Sequence, residues 1–229
     1  MELKIYPSKV FKILLILIIF LILANTAGLL STYLFGHSNV YGLVPLFHLD
    51  REANVPTWYS STTLFVCSIL LGIIAFTKKI ERDRYRLHWG ILSIFFLYLS
   101  IDEAAGIHEL TMRPLEYLFN LEGIFHFSWV IIGIPLVFIF VIAYAKFVIN
   151  LPRKIGLLFI LSGVLFVGGA LGMELIDGWY AFTTGEYNLM YQMMTMLEEM
   201  LEMIGIAVFI YSLLTYIRTY VKEVVICVI

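Results

Sequence analysis

The feature that most constrains this chain is a series of six mostly apolar stretches, each about as long as a bilayer is thick. A helix of ~20 apolar residues crosses the ~30 Å hydrocarbon core, because each residue adds ~1.5 Å along the helix axis. We therefore predict an all-α, polytopic membrane helix bundle with about six transmembrane helices in one domain, 1–229. The predicted spans are 11–34, 57–77, 89–110, 127–147, 156–178 and 195–217.

The composition excludes an ordinary soluble fold. Hydrophobic residues make up 61% of the chain and charged residues only 14%, about half the usual charged share. A soluble domain of this size would lack the polar groups that must cover its surface. The first apolar run is too long for a signal-peptide core, and no A-x-A cleavage site follows it, so we interpret it as the first span. No basic patch indicates a nucleic-acid partner.

The distribution of Lys and Arg predicts the orientation in the membrane. Cytoplasmic loops carry an excess of these residues, and here thirteen fall on one side against two on the other. Arg51 and Arg113 are the two exceptions. We therefore predict that both termini are cytoplasmic. The thirteen are Lys4, Lys9, Lys12, Lys78, Lys79, Arg82, Arg84, Arg86, Lys146, Arg153, Lys154, Arg218 and Lys222.

Acidic residues divide the opposite way, with thirteen of seventeen on the predicted outer side. Eight of them belong to three predicted spans; Asp102 and Glu202 would lie ~10 Å below the outer face, so the three helices offer carboxylates at similar depth. An ionisable side chain at that depth costs several kcal/mol unless it is paired or hydrated, which makes it a candidate functional group. These eight are Asp102, Glu103, Glu109, Glu174, Asp177, Glu198, Glu199 and Glu202.

Helical geometry predicts that most of these acids share faces. Glu198, Glu199 and Glu202 fall within an arc of about 100°, and the acids of the fifth span are spaced i,i+3. In the third span, Glu103 and His108 would diverge on a straight helix, so either Gly106 marks a distortion or the two side chains face different neighbours. A small-xxx-small pattern, 168–172, would let a partner helix approach the fifth span.

Carboxylates from several helices together with a histidine suggest a metal site. Oxygen-rich sets favour Fe, Mn, Mg or Ca, whereas copper, suggested by a methionine-rich run over 190–203, is less favoured because those sulfurs face all sides of the helix. The predicted ligands are Glu103, His108, Glu109, Glu174, Glu199 and Glu202. Residues predicted to orient the ligands, supply counter-charge or handle protons are Asp102, Asp177, Glu198, Asp50, Arg51 and Arg113.

Several functions fit these residues. The leading hypothesis is a membrane-embedded metal-binding protein, which as an enzyme would act on a lipid or quinone-like substrate from the outer leaflet. One alternative is a proton- or cation-handling protein, in which a hydrated vestibule holds protonated acids. Another is a non-catalytic subunit of a larger membrane complex, whose acids pair with a partner's cations.

Three strings resemble a known group of proteins: SIDEAAGIHE from Ser100, GGALGME ending at Glu174, and LEEMLEMIG from Leu197. They are similar to an uncharacterised group of bacterial multi-pass membrane proteins. The resemblance implies the six-span fold and a bacterial cytoplasmic (inner) membrane location, and it implies no activity.

Overall fold

The computed structural model describes residues 5–221, and within that range the chain is helical, with no strand. Lys4 and Lys222, which contribute to the predicted orientation, lie outside the described residues. Between the α-helices lie short 3-10 turns, Glu109–Thr111 and Gly123–Phe125, and a π-helical segment, Gly168–Met173. The α-helices are α1 (Pro7–Phe35), α2 (Leu43–Leu46), α3 (Val55–Ile80), α4 (Arg86–Ala105), α5 (Met112–Phe119), α6 (Val130–Ile149), α7 (Arg153–Val167), α8 (Glu174–Thr184) and α9 (Leu189–Tyr220).

Six helical segments are long and apolar enough to cross a membrane: α1, α3, α4, α6, the continuous α7–π–α8 unit and α9. The prediction of a six-span helix bundle is confirmed, and the chain is an integral membrane protein. We call the end formed by loops 36–54, 106–129 and 185–188 the acidic end, and the opposite end, with loops 81–85 and 150–152, the basic end. Which end faces the cytoplasm stays a prediction.

Helix α9 forms the centre of the bundle. It is the most enclosed span, with 61% of its apolar window buried against 17–33% in the other five. It packs against α1, α3, α7, α8 and the π-helical segment. Towards the basic end its aromatic and aliphatic side chains join a core around Trp89, Phe147 and Leu213. Carboxyl groups on α9 are therefore held on the most enclosed span of the fold.

Close backbone approach holds α7 against α9. A Cβ atom at Gly205 of α9 would lie 2.8 Å from the backbone nitrogen of Phe166 and 3.0 Å from the carbonyl oxygen of Ser162. Only glycine fits such a contact without a shift of the helices. Small residues at a helix contact are the usual way for membrane helices to gain packing, since lipid provides no hydrophobic force between them.

Helices α3 and α4 are joined by two reciprocal serine pairs. The hydroxyl of Ser61 donates to the carbonyl of Ser100 at 2.7 Å, and Ser100 donates back to Ser61 at 2.8 Å. Ser68 and Ser93 exchange the same bonds, both at 2.8 Å. These contacts satisfy every hydroxyl donor of the four serines within the apolar layer. They fix the register of α4 and hence the height of the acids at its end.

Candidate functional site

Helix α4 ends earlier than the sequence predicts, and the end creates a local structure around Asp102. Gly106 adopts a left-handed conformation, with φ of 55°, and its N–H donates to the carbonyl of Asp102 at 2.7 Å. The span predicted to reach Leu110 therefore stops at Ala105. Of the two explanations for the divergence of Glu103 and His108, the distortion at Gly106 is confirmed.

The chain turns back after Gly106 so that His108 returns to Asp102. One carboxylate oxygen of Asp102 accepts the backbone N–H of His108 at 2.8 Å, and the other lies 2.9 Å from its Nδ1. Burial of the imidazole opposes its protonation. The bond to Asp102 and the charges of Asp102, Glu109 and Glu174 outweigh that effect and raise the pKa of His108 above its ordinary value. The ring nitrogen Nδ1 is thus fixed by the carboxylate.

A tryptophan connects this histidine to the fifth span. The rings of His108 and Trp129 are 4.9 Å apart, and the indole Nε1 of Trp129 donates a hydrogen bond to Glu174 Oε1 at 3.0 Å. Trp129 lies just before α6, so three spans contribute to one arrangement. The indole is only a donor, which fixes the orientation of the Glu174 carboxyl without adding a charge.

The π-helical segment Gly168–Met173 sets the direction of the acids that follow it. Its wider turns change the register of the helix immediately before Glu174, and such insertions are common at functional sites. A Cβ atom at Gly169 would lie 2.8 Å from the carbonyl oxygen of Glu198 and 2.8 Å from Cγ of Glu202. The predicted close helix contact at Gly168 and Gly172 is wrong, because a Cβ atom added to either glycine would have no neighbouring atom within 4 Å. Gly169 makes the contact.

Glu198 of α9 faces two acids of α8, Glu174 and Asp177. Glu198 lies within hydrogen-bonding reach of both Glu174 and Asp177. Asp177 is 1% exposed and Glu198 is 8% exposed. The hydroxyl of Thr195 donates to one oxygen of Asp177 at 3.4 Å, and the other oxygen, Oδ1, is buried without a donor. Ionised carboxylates only accept hydrogen bonds, so such contacts form when a proton or a cation lies between the groups.

A second set of acids extends from α9 to α4. The charge of Glu202 interacts with those of Glu199, Glu103 and Glu174, and Glu199 also interacts with Asp50. Carboxyl groups of α4, α8 and α9 therefore lie in one electrostatic neighbourhood, as the sequence predicts. We call Glu103, Glu174, Asp177, Glu198, Glu199 and Glu202 the carboxyl cluster.

The loop between α1 and α3 covers the cluster at the acidic end. The amide of Gln192 donates to Asp50 Oδ2 at 3.2 Å, and the backbone N–H of Leu49 donates to the buried Asn25 of α1 at 3.1 Å. Partial burial raises the pKa of Asp50, although the bond from Gln192 and the charge of Arg51 oppose the shift. The sequence alone does not predict this role of Asn25, because a loop anchored to a span leaves no local pattern.

Basic side chains do not neutralise the cluster within residues 5–221. The structure there has two acid–base pairs, Lys78 with Glu81 at the basic end and the histidine pair described above. Arg51 and Arg113 are exposed and form no salt bridge with an acid among the described residues, so no contact supports their predicted role as counter-charges. Glu109 is likewise exposed on its turn. Protons, water or a cation must therefore stabilise the carboxyl groups that no basic side chain of residues 5–221 neutralises.

The predicted metal ligands do not assemble into one centre. In the described part of the chain, no three His, Cys, Asp or Glu side chains are arranged to hold a metal ion. Four of the six candidates belong to the carboxyl cluster, and the other two, His108 and Glu109, lie outside it. Glu103 and Glu202 line a small cavity, Glu174 bonds to Trp129 and lies beside Glu198, and His108 bonds to Asp102.

Comparison with known proteins gives one match. The chain matches the family model described as "Domain of unknown function (DUF8692)" over residues 13–217. No curated protein and no solved structure matches it. The match includes all three strings that carry the resemblance and most of each of the six spans. The chain therefore belongs to the DUF8692 family of proteins.

Proposed function

We propose that this protein binds and releases protons through the carboxyl cluster, at the acidic end of a six-span membrane bundle. The observation that carries the proposal is the position of Glu198, buried beside Glu174 and Asp177 and without a salt bridge to any basic side chain of residues 5–221. Desolvation and like charges both favour the neutral form of a carboxyl group. Three acids in contact would share one or more protons and titrate as a unit.

The surroundings support exchange of these protons with the acidic end rather than the basic end. His108 and Asp50 both lie outside the spans, at the acidic end, and each interacts electrostatically with acids of the cluster. Towards the basic end, α9 enters the tightly packed aromatic core around Trp89 and Phe147. Proton binding from one side, without conduction across the bilayer, is the behaviour that this arrangement favours.

A divalent cation at the same acids is the second candidate. It is favoured by the bond between His108 Nδ1 and Asp102, because histidines that bind metals commonly donate this hydrogen to a carboxylate and keep Nε2 for the ion. In that case Glu103, Glu174, Glu199 and Glu202 would have to move together around the ion. The lipid or quinone-like substrate, the partner subunits, the bacterial inner membrane and the cytoplasmic termini stay predictions.

Infrared spectroscopy of the purified protein tests the proposal. We expect the C=O stretch of protonated carboxyl groups at neutral pH, and we expect Glu198→Gln to remove most of it. Glu122→Gln is the matched control, because Glu122 is an exposed residue of the acidic end and should leave the band unchanged. Proton uptake on acidification, followed with a soluble indicator dye, should fall in the first variant and not in the second.

The alternatives predict different results. A wild-type spectrum without protonated carboxyl groups at neutral pH would overturn the proposal. Elemental analysis showing a metal at near-integral stoichiometry, lost in Glu202→Gln and weakened in His108→Ala, would replace it by the metal-binding function. A metal-free protein with a band that Glu198→Gln removes supports proton binding.

A further inference from the structure

A small cavity lies between α3, α4, α7 and α9. Two of its lining residues are acids of the carboxyl cluster, Glu103 and Glu202. Two others, Ser60 and Thr63, are hydroxyl residues of α3, which contributes no acid to the cluster. Apolar side chains complete the wall: Leu64, Phe166, Met203 and Ile206. The cavity therefore has a polar side, made by three helices, and an apolar side.

The cavity has the size of a single water molecule. Its volume is about 10 Å³. That volume is at the lower limit for one buried water, ~10–15 Å³. Buried waters also need about two to four polar partners, and the two carboxyl groups and two hydroxyl groups supply that number.

Thr63 lines the cavity, and its hydroxyl can accept a hydrogen bond. Its hydrogen is donated to the carbonyl of Ser60 at 2.9 Å, which leaves the lone pairs of Oγ1 for another donor. Thr63 is 7% exposed and no other described residue donates to its hydroxyl. A water molecule can donate to Oγ1 with one hydrogen and to a carboxyl oxygen with the other.

We propose that this cavity holds one ordered water molecule that links Glu103 of α4 to Glu202 of α9, with Thr63 as its positioning residue. The proposal rests on proton binding by the carboxyl cluster and extends it. The water would let protons pass between acids on two helices that have no direct side-chain hydrogen bond. The path would end there, because Leu64, Met203 and Ile206 close the cavity with groups that carry no exchangeable proton.

Difference infrared spectroscopy in H₂¹⁶O and H₂¹⁸O tests this assignment on the full-length protein. A buried water that donates hydrogen bonds to these acceptors gives an O–H stretching band that shifts to lower frequency in H₂¹⁸O. We expect this band in the wild type, its loss in Thr63→Val, which keeps the shape and removes the acceptor, and its return in Thr63→Ser. The carboxyl C=O band of Glu202, identified by its loss in Glu202→Gln, should shift in Thr63→Val.

Thr77→Val is the matched control. Thr77 is a buried threonine of the same helix, its hydroxyl donates to Ile73 at 3.0 Å, and it lies away from the cavity. Its replacement should cost comparable stability and leave both bands unchanged. Comparison of the two variants in the same preparation separates loss of the water from general damage to α3.

Three outcomes would overturn the assignment. The first is a wild type without an isotope-sensitive water band, and the second is a Thr63→Val variant that keeps the band. The third is stabilisation of the protein by Na⁺ or Li⁺ that Thr63→Val abolishes, because the occupant would then be a cation. Failure of the proton-binding function is distinguishable, because it appears as missing protonated carboxyl groups. A protein that keeps those groups and lacks the water band refutes the water alone.

Discussion

Replacement of Gly169 by alanine is the sharpest structural perturbation of the site. The new Cβ would lie 2.8 Å from the carbonyl oxygen of Glu198 and from Cγ of Glu202, and 3.3 Å from the backbone nitrogen of Glu202. Ordinary contact begins near 3.4 Å, so α9 and the π-helical segment must separate by about 0.6 Å. A carbonyl oxygen of a helix cannot rotate away as a side chain can.

The expected cost follows from overpacking. Forcing extra atoms into a packed interior typically costs ~1–3 kcal/mol, and each ~1.4 kcal/mol is tenfold in the folding equilibrium. Unfolding in mixed detergent micelles with increasing SDS measures this difference. Because the same movement separates Glu198 from Glu174 and Asp177, the protonated-carboxyl band should also shift.

The adjacent residue provides the control. A Cβ at Gly168 meets no atom within 4 Å, and alanine is a better helix former than glycine by ~0.8–1.0 kcal/mol. Gly168→Ala should therefore be neutral or slightly stabilising. If both variants are equally stable and have the same carboxyl band, the close approach of α9 at Gly169 is refuted.

Two further predictions concern His108 and the orientation. Because the pKa of His108 is raised in the folded protein, its bond to Asp102 stabilises the fold fully at pH values below the ordinary histidine pKa of ~6.5. This stabilisation is lost as the pH rises through the pKa of His108 in the folded protein. Asp102→Asn should lower the pKa of His108 in an NMR titration and destabilise the protein at acidic pH only; a pH-independent effect would contradict this origin. A periplasm-active reporter fused after Tyr187 and a cytoplasm-active reporter fused after Arg84 should both give signal, and an expressed but silent fusion would reverse the orientation.

The hydropathy of the chain was sufficient to predict the six spans. Apolar runs of the required length identify membrane helices, because each helix satisfies its own backbone in lipid whatever its neighbours are. Helix ends were less predictable. The sequence continued the third span to Leu110, whereas the left-handed Gly106 ends α4 at Ala105.

The candidate site was predictable as a region and not as an arrangement. Counting residues along ideal helices predicted a shared region for acids of three helices, and in the structure the charge of Glu202 interacts with those of Glu103 and Glu174. That count assumes 3.6 residues per turn throughout, which the π-helical segment Gly168–Met173 breaks. Gly168 and Gly172 therefore appeared to form the helix contact, although Gly169 does.

The sequence by itself determined which residues enter the membrane and that its acids gather at one end, since hydropathy and charge act locally along each span. Only the tertiary structure decided that Glu198 lies between Glu174 and Asp177, that Asp102 holds His108, and that a water-sized cavity separates Glu103 from Glu202. The physical reason is that these contacts depend on the rotation and spacing of whole helices. Rotation and spacing are set by a π-helical turn, a left-handed glycine and close packing between elements far apart in the chain.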